Sequence, residues 1–381
     1  MNQESSNFLM KRRVEAGLFL FLFIGGFTLV GNKMGLANML NTIMQTSYRL
    51  LIDTVFYIMA ITVLSGALAK LLTEFGVVRL LEVILKPLMR PLFNLPGVAA
   101  LGGLMTFLSD NPAIISLAKE KNFSRYFKKS QLISLTNFGT AFGMGLVVIF
   151  FMTGKGFGFA AIIGLIGAVV GSIVSTQLMQ RFIIKAYPHF ETEEVEGGNE
   201  EEISFKSEGS VFLRALNAIL DGGKTGVDLG VAIIPGVLII STFVMILTFG
   251  SGPDGYTGSA YEGIALLPYL AEKVNFIFKW LFGFENPELI AFPITSLGAV
   301  GAALSLIPKF QAEGLIDGNA IAVFTAMGMC WSGFLSTHTA MLDSLGYREL
   351  TSKAILSHTI GGLAAGISAH WIYYFISMVL T

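Results

Sequence analysis

Polar side chains stand where hydrocarbon is expected. Ser109-Asp110-Asn111-Pro112 interrupts an apolar run, and Thr136-Asn137-Phe138-Gly139-Thr140 lies inside the next one. An ionisable group at bilayer depth is costly and is usually functional. Asp110 and Asn111 precede a proline, the arrangement expected to cap a helix that starts at Pro112. The N-terminus of such a helix presents free N–H groups and partial positive charge, which suits a polar solute or an ion. Asn137 can both donate and accept hydrogen bonds, as recognition of a nucleobase or ribose requires. Competing readings stand beside these: Asp110 as the cap of a static hairpin, and small residues near Asn137 as close helix packing.

The pattern returns about 190 residues later. Leu92-Phe93 is echoed by Leu281-Phe282, and the 109–112 tetrapeptide by Thr295-Ser296-Leu297-Gly298. Thr136 to Thr140 is echoed by Thr325 and the run to Trp331-Ser332-Gly333. The expected solute- or ion-contacting set is therefore Ser109, Asp110, Asn111, Thr136, Asn137, Thr140, Thr295, Ser296, Thr325, Trp331 and Ser332. Trp331, Phe138 or Phe142 offers a face on which an aromatic ligand can stack. A paired repeat with broken hydrophobic segments is the build of a secondary transporter, with its site between the halves.

The elements that must position these residues are membrane helices. Of 381 residues, 53% are hydrophobic and 13% charged, against roughly 25% charged in soluble domains. A net charge of -1 gives no indication of nucleic-acid binding. The single Cys330 excludes an intrachain disulfide framework and a multi-cysteine metal site. No phosphate-binding Gly-Lys-Ser/Thr loop, nucleophile elbow or zinc-protease signature occurs, so no enzyme activity is expected.

Full spans are predicted over Val14–Val30, Leu50–Leu72, Gln131–Phe151, Phe159–Ile184, Val227–Phe249, Ile316–Ser336 and Ala354–Leu380. Leu92–Glu120 is basic on both flanks, so by the positive-inside rule it dips in and returns. With the N-terminus inside and both broken segments re-entrant, 19 of the 25 Lys and Arg residues fall on the cytoplasmic side. Three full spans per copy, an odd number, makes the repeats inverted. The fold class expected is an all-α polytopic membrane protein with about seven transmembrane helices, two hairpins and interfacial helices. Residues 1–39 hold a tail and an extra span, 40–185 repeat one with hairpin 92–121, and 211–381 repeat two with hairpin 287–310. The glutamate-rich 186–210 segment between them reads as a disordered tether or a docking segment.

Arg79, Glu82, Lys86 and Arg90 fall on one predicted helical face over Val77–Phe93, suited to the headgroup layer. Asp53 and Asp228 open the first span of each repeat, where capping or a pair with Arg49 or Lys224 is expected, with ion binding the lesser reading. His338 reads as a hydrogen-bonded loop residue. His358 and His370 lie twelve residues apart, which puts them on different helix faces.

Leu95-Pro96-Gly97, the Phe107-Leu108-Ser109-Asp110-Asn111-Pro112-Ala113 tip and the Glu313-Gly314-Leu315 echo resemble the nucleoside-recognition, or Gate-domain, family of bacterial membrane proteins. That family is similar in its gate region to concentrative nucleoside transporters, ferrous-iron transporter gates and spore-maturation membrane proteins. The resemblance implies hairpins that act as gates, a nucleoside-like small polar solute, and a place in the bacterial cytoplasmic membrane. The expected activity is secondary transport coupled to Na+ or H+, with no other cofactor and with homo-oligomers by analogy. Alternatives are a non-transporting membrane partner or sensor, and a divalent-cation path through His338 and His358. The re-entrant reading is checked by labelling Arg90→Cys and Lys121→Cys with an impermeant thiol reagent. Both should react from the cytoplasmic side only.

Overall fold

Seven helical segments among the described residues are long and apolar enough to cross a bilayer, and they coincide with the seven predicted spans. The computed structural model describes residues 3–195 and 209–380. Most of the acidic tether, 196–208, lies outside the described residues.

The chain is an all-α membrane protein built as two inverted repeats. Helix α1 (Gln3–Met34) precedes them. In repeat one, α2 (Leu36–Arg49) runs through a π-helical turn at Leu50–Val55 into α3 (Phe56–Glu74). The interfacial α4 (Val77–Phe93) leads to hairpin 1, α5 (Ala99–Leu108) and α6 (Pro112–Lys119), then α7 (Lys121–Ser124). A broken span, α8 (Lys129–Thr140) and α9 (Gly145–Gly154), and the long α10 (Gly158–Ala186) complete it.

Repeat two follows the same order. Helix α11 (Val211–Ala232) passes a π-helical turn at Gly236–Ser241 into α12 (Thr242–Thr248). The short α13 (Leu266–Glu272) and α14 (Asn275–Phe282) lead to hairpin 2, α15 (Ala291–Ser296) and α16 (Val300–Leu304), then α17 (Ile307–Ala312). The broken span α18 (Gly318–Cys330) and α19 (Phe334–Leu345) and the long α20 (Thr351–Leu380) close the chain. Even the breaks correspond. Asn94 and Gly283 end the interfacial helices with positive φ, Met144 and Gly333 divide the broken spans likewise, and each pair is 189 residues apart (283 − 94, 333 − 144).

Two close helix crossings hold the halves together. In one, Thr62 Oγ1 on α3 donates to Gly226 O on α11 at 2.6 Å. A Cβ on Gly66 would come within 2.4 Å of Gly222 O, so only glycine permits this approach. In the other, α10 crosses α20 at Gly171 and Gly361, with α18 packed alongside both. Each hairpin packs on the broken span of its own repeat, hairpin 1 on α8 and hairpin 2 on α18.

Several details depart from the sequence reading. Glu82 is buried rather than on an exposed polar face, because α4 turns it toward the protein while Leu80, Val83 and Ile84 face outward. Asp53 and Asp228 are exposed and stand in no ion pair with Arg49 or Lys224, the π turn having changed the helix phase beside Asp53. The start of the tether is folded, since Pro188–Glu191 forms a 3-10 turn and the Lys129 N–H donates to Glu193 O at 2.9 Å.

On the opposite face from the tether, the 249–265 loop closes over α2. Glu262 is buried and accepts the backbone N–H groups of Thr257 and Gly258 at 3.0 Å and the Thr257 hydroxyl at 2.7 Å. Tyr261 N–H donates to Thr46 Oγ1 on α2 at 2.9 Å. Burial raises the Glu262 pKa, but the hydrogen bonds outweigh it and hold the carboxyl below its ordinary value. A lowered carboxyl contributes stability above its unfolded pKa, lost as pH falls through the folded one. The thermal-midpoint gap between wild type and Glu262→Gln should therefore be full at pH 7 and shrink below about pH 4.

Candidate functional site

Hairpin 1 turns at Ser109, whose dihedrals (φ -129, ψ -105) end α5, and Pro112 starts α6 as expected. The predicted side-chain cap is absent. Asn111 has helical dihedrals, and the first amides of α6 are answered by main chain, Ala113 N–H to Asp110 O at 3.0 Å and Ile114 N–H to Asn111 O at 3.3 Å. The Asn111 amide is instead drawn across to the other repeat. Its Nδ2 donates to Ser332 O, in the break of the α18–α19 span, and to Thr337 Oγ1 on α19 at 3.2 Å.

Gly143, in the break of the α8–α9 span, permits this approach, since a Cβ there would lie 2.3 Å from Asn111 Oδ1. One buried asparagine thus touches both broken spans. Hairpin 2 reaches the same break through main chain, with Gly333 N–H donating to Ser296 O at 3.3 Å.

The other predicted residues divide into two groups. Hydroxyls of Ser109, Thr295 and Ser296 bond to carbonyls of their own helices, Met105 O at 2.6 Å, Ala291 O at 2.7 Å and Pro293 O at 2.8 Å. Asp110, next to Ser109 in the chain, is partly exposed, its carboxylate contacted by the Asn111 N–H. By contrast, Asn111 Oδ1, Thr136 Oγ1, Thr140 Oγ1, Asn137 Oδ1, Thr325 Oγ1 and Trp331 Nε1 are buried without hydrogen-bond partners. Buried orphans of this kind are costly and usually mark ordered water, an ion or a ligand.

Asn137 and Trp331 face away from the tip. Asn137 Nδ2 donates to Ser175 Oγ at 2.9 Å, Ser357 Oγ at 2.8 Å and Ala354 O at 3.1 Å, joining α8 to α10 and α20. The Trp331 indole fills the space against Gly362 of α20 and is covered by protein. Thr325 packs on Gly164 of α10.

His338 is not a loop residue. It lies within α19, fully buried, with its ring 4.5 Å from that of His358 and neither nitrogen partnered. His358 Nε2 meets Cys330 O, which can only accept, so Nε2 carries the proton and Nδ1 accepts from Ser175 Oγ at 3.0 Å. No group of three His, Cys, Asp or Glu side chains suited to a metal occurs among the described residues. Gly143 and Thr337 were missed as site residues. The break at 143–145, opposite Ser332-Gly333 in the repeat, is the sequence signal for the first.

Residues 55–156 match the Gate family, described as nucleoside recognition. The Gate segment therefore runs from the start of α3 to the end of α9 and contains hairpin 1 and the first break. A 74-residue stretch is 40% identical to the sporulation integral membrane protein YlbJ of Bacillus subtilis (strain 168), and it spans 18% of this chain and 18% of that relative.

The fold extends the likeness beyond the Gate segment. It is similar to the concentrative nucleoside transporter CNTnw in an outward-facing state, with TM-score 0.55, 14% identity, and 97% of this chain and 86% of that chain covered. An inward-facing, substrate-bound structure of CNTnw gives TM-score 0.52 at 14% identity, covering 96% and 85%. The protein is an integral membrane protein with a transporter-like fold.

Removing the Asn111 amide strands a buried carbonyl, and removing the Asn137 amide cuts three helices apart. Asn111→Ala should lower stability by about 1–3 kcal/mol, and Asn137→Ala by more than that, read as thermal unfolding in detergent.

Proposed function

We propose that this protein is a secondary transporter of a small polar, nucleoside-like solute, driven by Na+ or H+. One observation carries the reading: Asn111, at the tip of a re-entrant hairpin, is buried against both helix breaks with its Oδ1 unpartnered. Hairpin tips and unwound segments near the midplane are where inverted-repeat transporters bind solute and coupling ion. Asn111 Oδ1 and the Ser332 hydroxyl both lie beside Gly143, oxygen donors of the kind that suit a hard monovalent cation or the hydroxyls of a solute. The Gate match and the likeness to CNTnw support the same reading. We place the protein in a bacterial cytoplasmic membrane, N-terminus inside, with Asp110, Asn111 and Ser332 nearest the solute.

In this mechanism α3 and α11 form a frame, locked by the Thr62–Gly226 contact. The hairpins, broken spans and α10–α20 pair form a second body that shifts against it. Asn111 would hold solute or ion while its tip stays joined to Ser332, so that site and body travel together.

A second reading, a membrane partner that moves no solute, is favoured by the identity to a sporulation protein. The two separate cleanly. Proteoliposomes given labelled nucleosides under inward Na+ or H+ gradients should accumulate one of them, and Asn111→Ala should cut the rate at least about tenfold. Accumulation unaltered by Asn111→Ala would remove the site. No accumulation of any nucleoside, with a stably co-purifying protein, would favour the partner reading.

A further inference from the structure

An apolar groove runs beside hairpin 1. About 250 Å³ in volume, it lies between α4, α5, α8 and α10. From α4 it takes Leu85, Leu88, Met89 and Leu92, the spacing i, i+3, i+4, i+7 of one continuous helical stripe. Helix α5 repeats that spacing from Ala100 to Phe107. Phe138 and Phe142, edge to face at 5.7 Å, form the floor, and a Cβ on Gly103 would lie 3.0 Å from the Phe138 ring.

Every lining residue is apolar, so the groove cannot answer the hydroxyls of a nucleoside-like solute. It is open to its surroundings, with Leu88 exposed and Leu92, Leu104 and Leu165 half-buried. From Ala100 to Phe107 it follows α5 for seven residues (107 − 100), about 10 Å at helical rise. One leaflet holds half of the roughly 30 Å hydrocarbon core, so the groove covers about two-thirds of the depth an acyl chain occupies. Its inner end is Phe107, two residues before the tip turn at Ser109, and Phe142 in the α8–α9 break.

The outer end is basic. At 3.6 residues per turn, Lys86 and Arg90 share the shoulder of α4 turned away from the groove stripe. A helix lying in the headgroup layer with that arrangement sets its cations toward phosphates and its stripe toward chains. Glu82 is the one acid on the four helices of the groove, and it pairs with Arg79 at 2.6 Å. On α3, which also packs on α4, Glu74 pairs with Arg214 and Lys70 adds a cation. Lys86 and Arg90 are exposed and enter no ion pair among the described residues, as is true of Arg181 and Lys185 near the end of α10. Of the acids that flank these helices in sequence, Asp110 lies at the opposite end, beyond the tip. Glu120 stands between Lys119 and Lys121, and Glu193 pairs with Lys129.

We infer that this groove binds one acyl chain of an anionic phospholipid, whose phosphate is held by Lys86 and Arg90. The end of the chain then lies against Phe107 and Phe142, which puts the lipid in contact with the hairpin and the first break. The inference goes beyond the transport reading and does not rest on it.

The test uses full-length protein in vesicles that contain diazirine-tailed phosphatidylglycerol or phosphatidylcholine at equal mole fraction. After photolysis, label on α5 and α10 is quantified relative to label on α1, whose span is exposed on every side. The groove should favour phosphatidylglycerol at least about threefold more than α1 does. Lys86→Gln with Arg90→Gln should remove that preference. Val169→Trp, which fills the groove from α10, should remove groove label from both lipids and leave α1 label in place. The charge variant alters exposed side chains only, so it decides the headgroup contact even if the Val169→Trp chain fails to fold.

Groove label no more selective than α1 label, a preference indifferent to the charge variant, or label unaltered in folded Val169→Trp protein would overturn the inference. Absence of groove label from either lipid would assign the groove to protein rather than lipid and overturn it too. The outcome is the same whether or not the chain moves a nucleoside.

Discussion

In hydrocarbon a backbone N–H or C=O has no water to bond, so a helix can end mid-membrane only where protein supplies the missing partner. This chain interrupts helices at hairpin 1, hairpin 2 and two broken spans, and it meets the requirement by bringing those interruptions together. Ser332 O is answered by the Asn111 amide, and Ser296 O by the Gly333 N–H. The convergence of tips and breaks is thus a condition of solubility in the bilayer before it is a binding site. Gly143 follows from it, because any side chain there would separate Asn111 from the break.

The same economy explains the two helix crossings. Lipid tails compete equally well for apolar surface, so helices associate in a membrane through close backbone approach and a few hydrogen bonds. The α3–α11 crossing uses glycines and the Thr62–Gly226 bond; the α10–α20 crossing uses Gly171 and Gly361 and is reinforced by Asn137, Ser175 and Ser357. Each crossing joins one helix from either repeat, and each has its counterpart at the other side of the hairpins. The protein is therefore firm within each pair, while the hairpins lie between the pairs.

Most buried polar atoms without partners lie on the broken spans: those of Thr136, Asn137 Oδ1, Thr140, Thr325, Trp331 and both nitrogens of His338, with Asn111 Oδ1 at the tip that meets them; Thr176 on α10 and Asn275 on α14 stand apart. His358, close by, is fully engaged through Cys330 O and Ser175. The contrast separates a hydrogen-bonded network that specifies packing from unpartnered groups, most of which follow the helix breaks.

Much of this was legible in the sequence. Apolar run length located all seven spans, since crossing a bilayer sets a minimum length that few other structures meet. The repeat was legible too, because Leu92-Phe93 and Leu281-Phe282 keep the 189-residue offset (281 − 92) that the positive-φ residues also keep. Basic flanks and Pro112 sufficed to read hairpin 1 as a helical dip.

Which way each side chain turns was decided only by tertiary packing. Asn111 stands where the sequence expects a helix cap, and its amide instead bridges to Ser332 and Thr337; the Asn137 amide turns between α10 and α20, leaving its Oδ1 unpartnered. Glu82 shares a helical stripe with exposed cations yet is buried, and His338 meets His358 from a different helix. Periodicity says which residues share a face, and hydrophobicity says how many faces meet lipid. The rotation of one helix against its neighbours is set by steric fit and by hydrogen bonds to distant residues, such as that between Asn111 and Thr337, 226 positions apart (337 − 111).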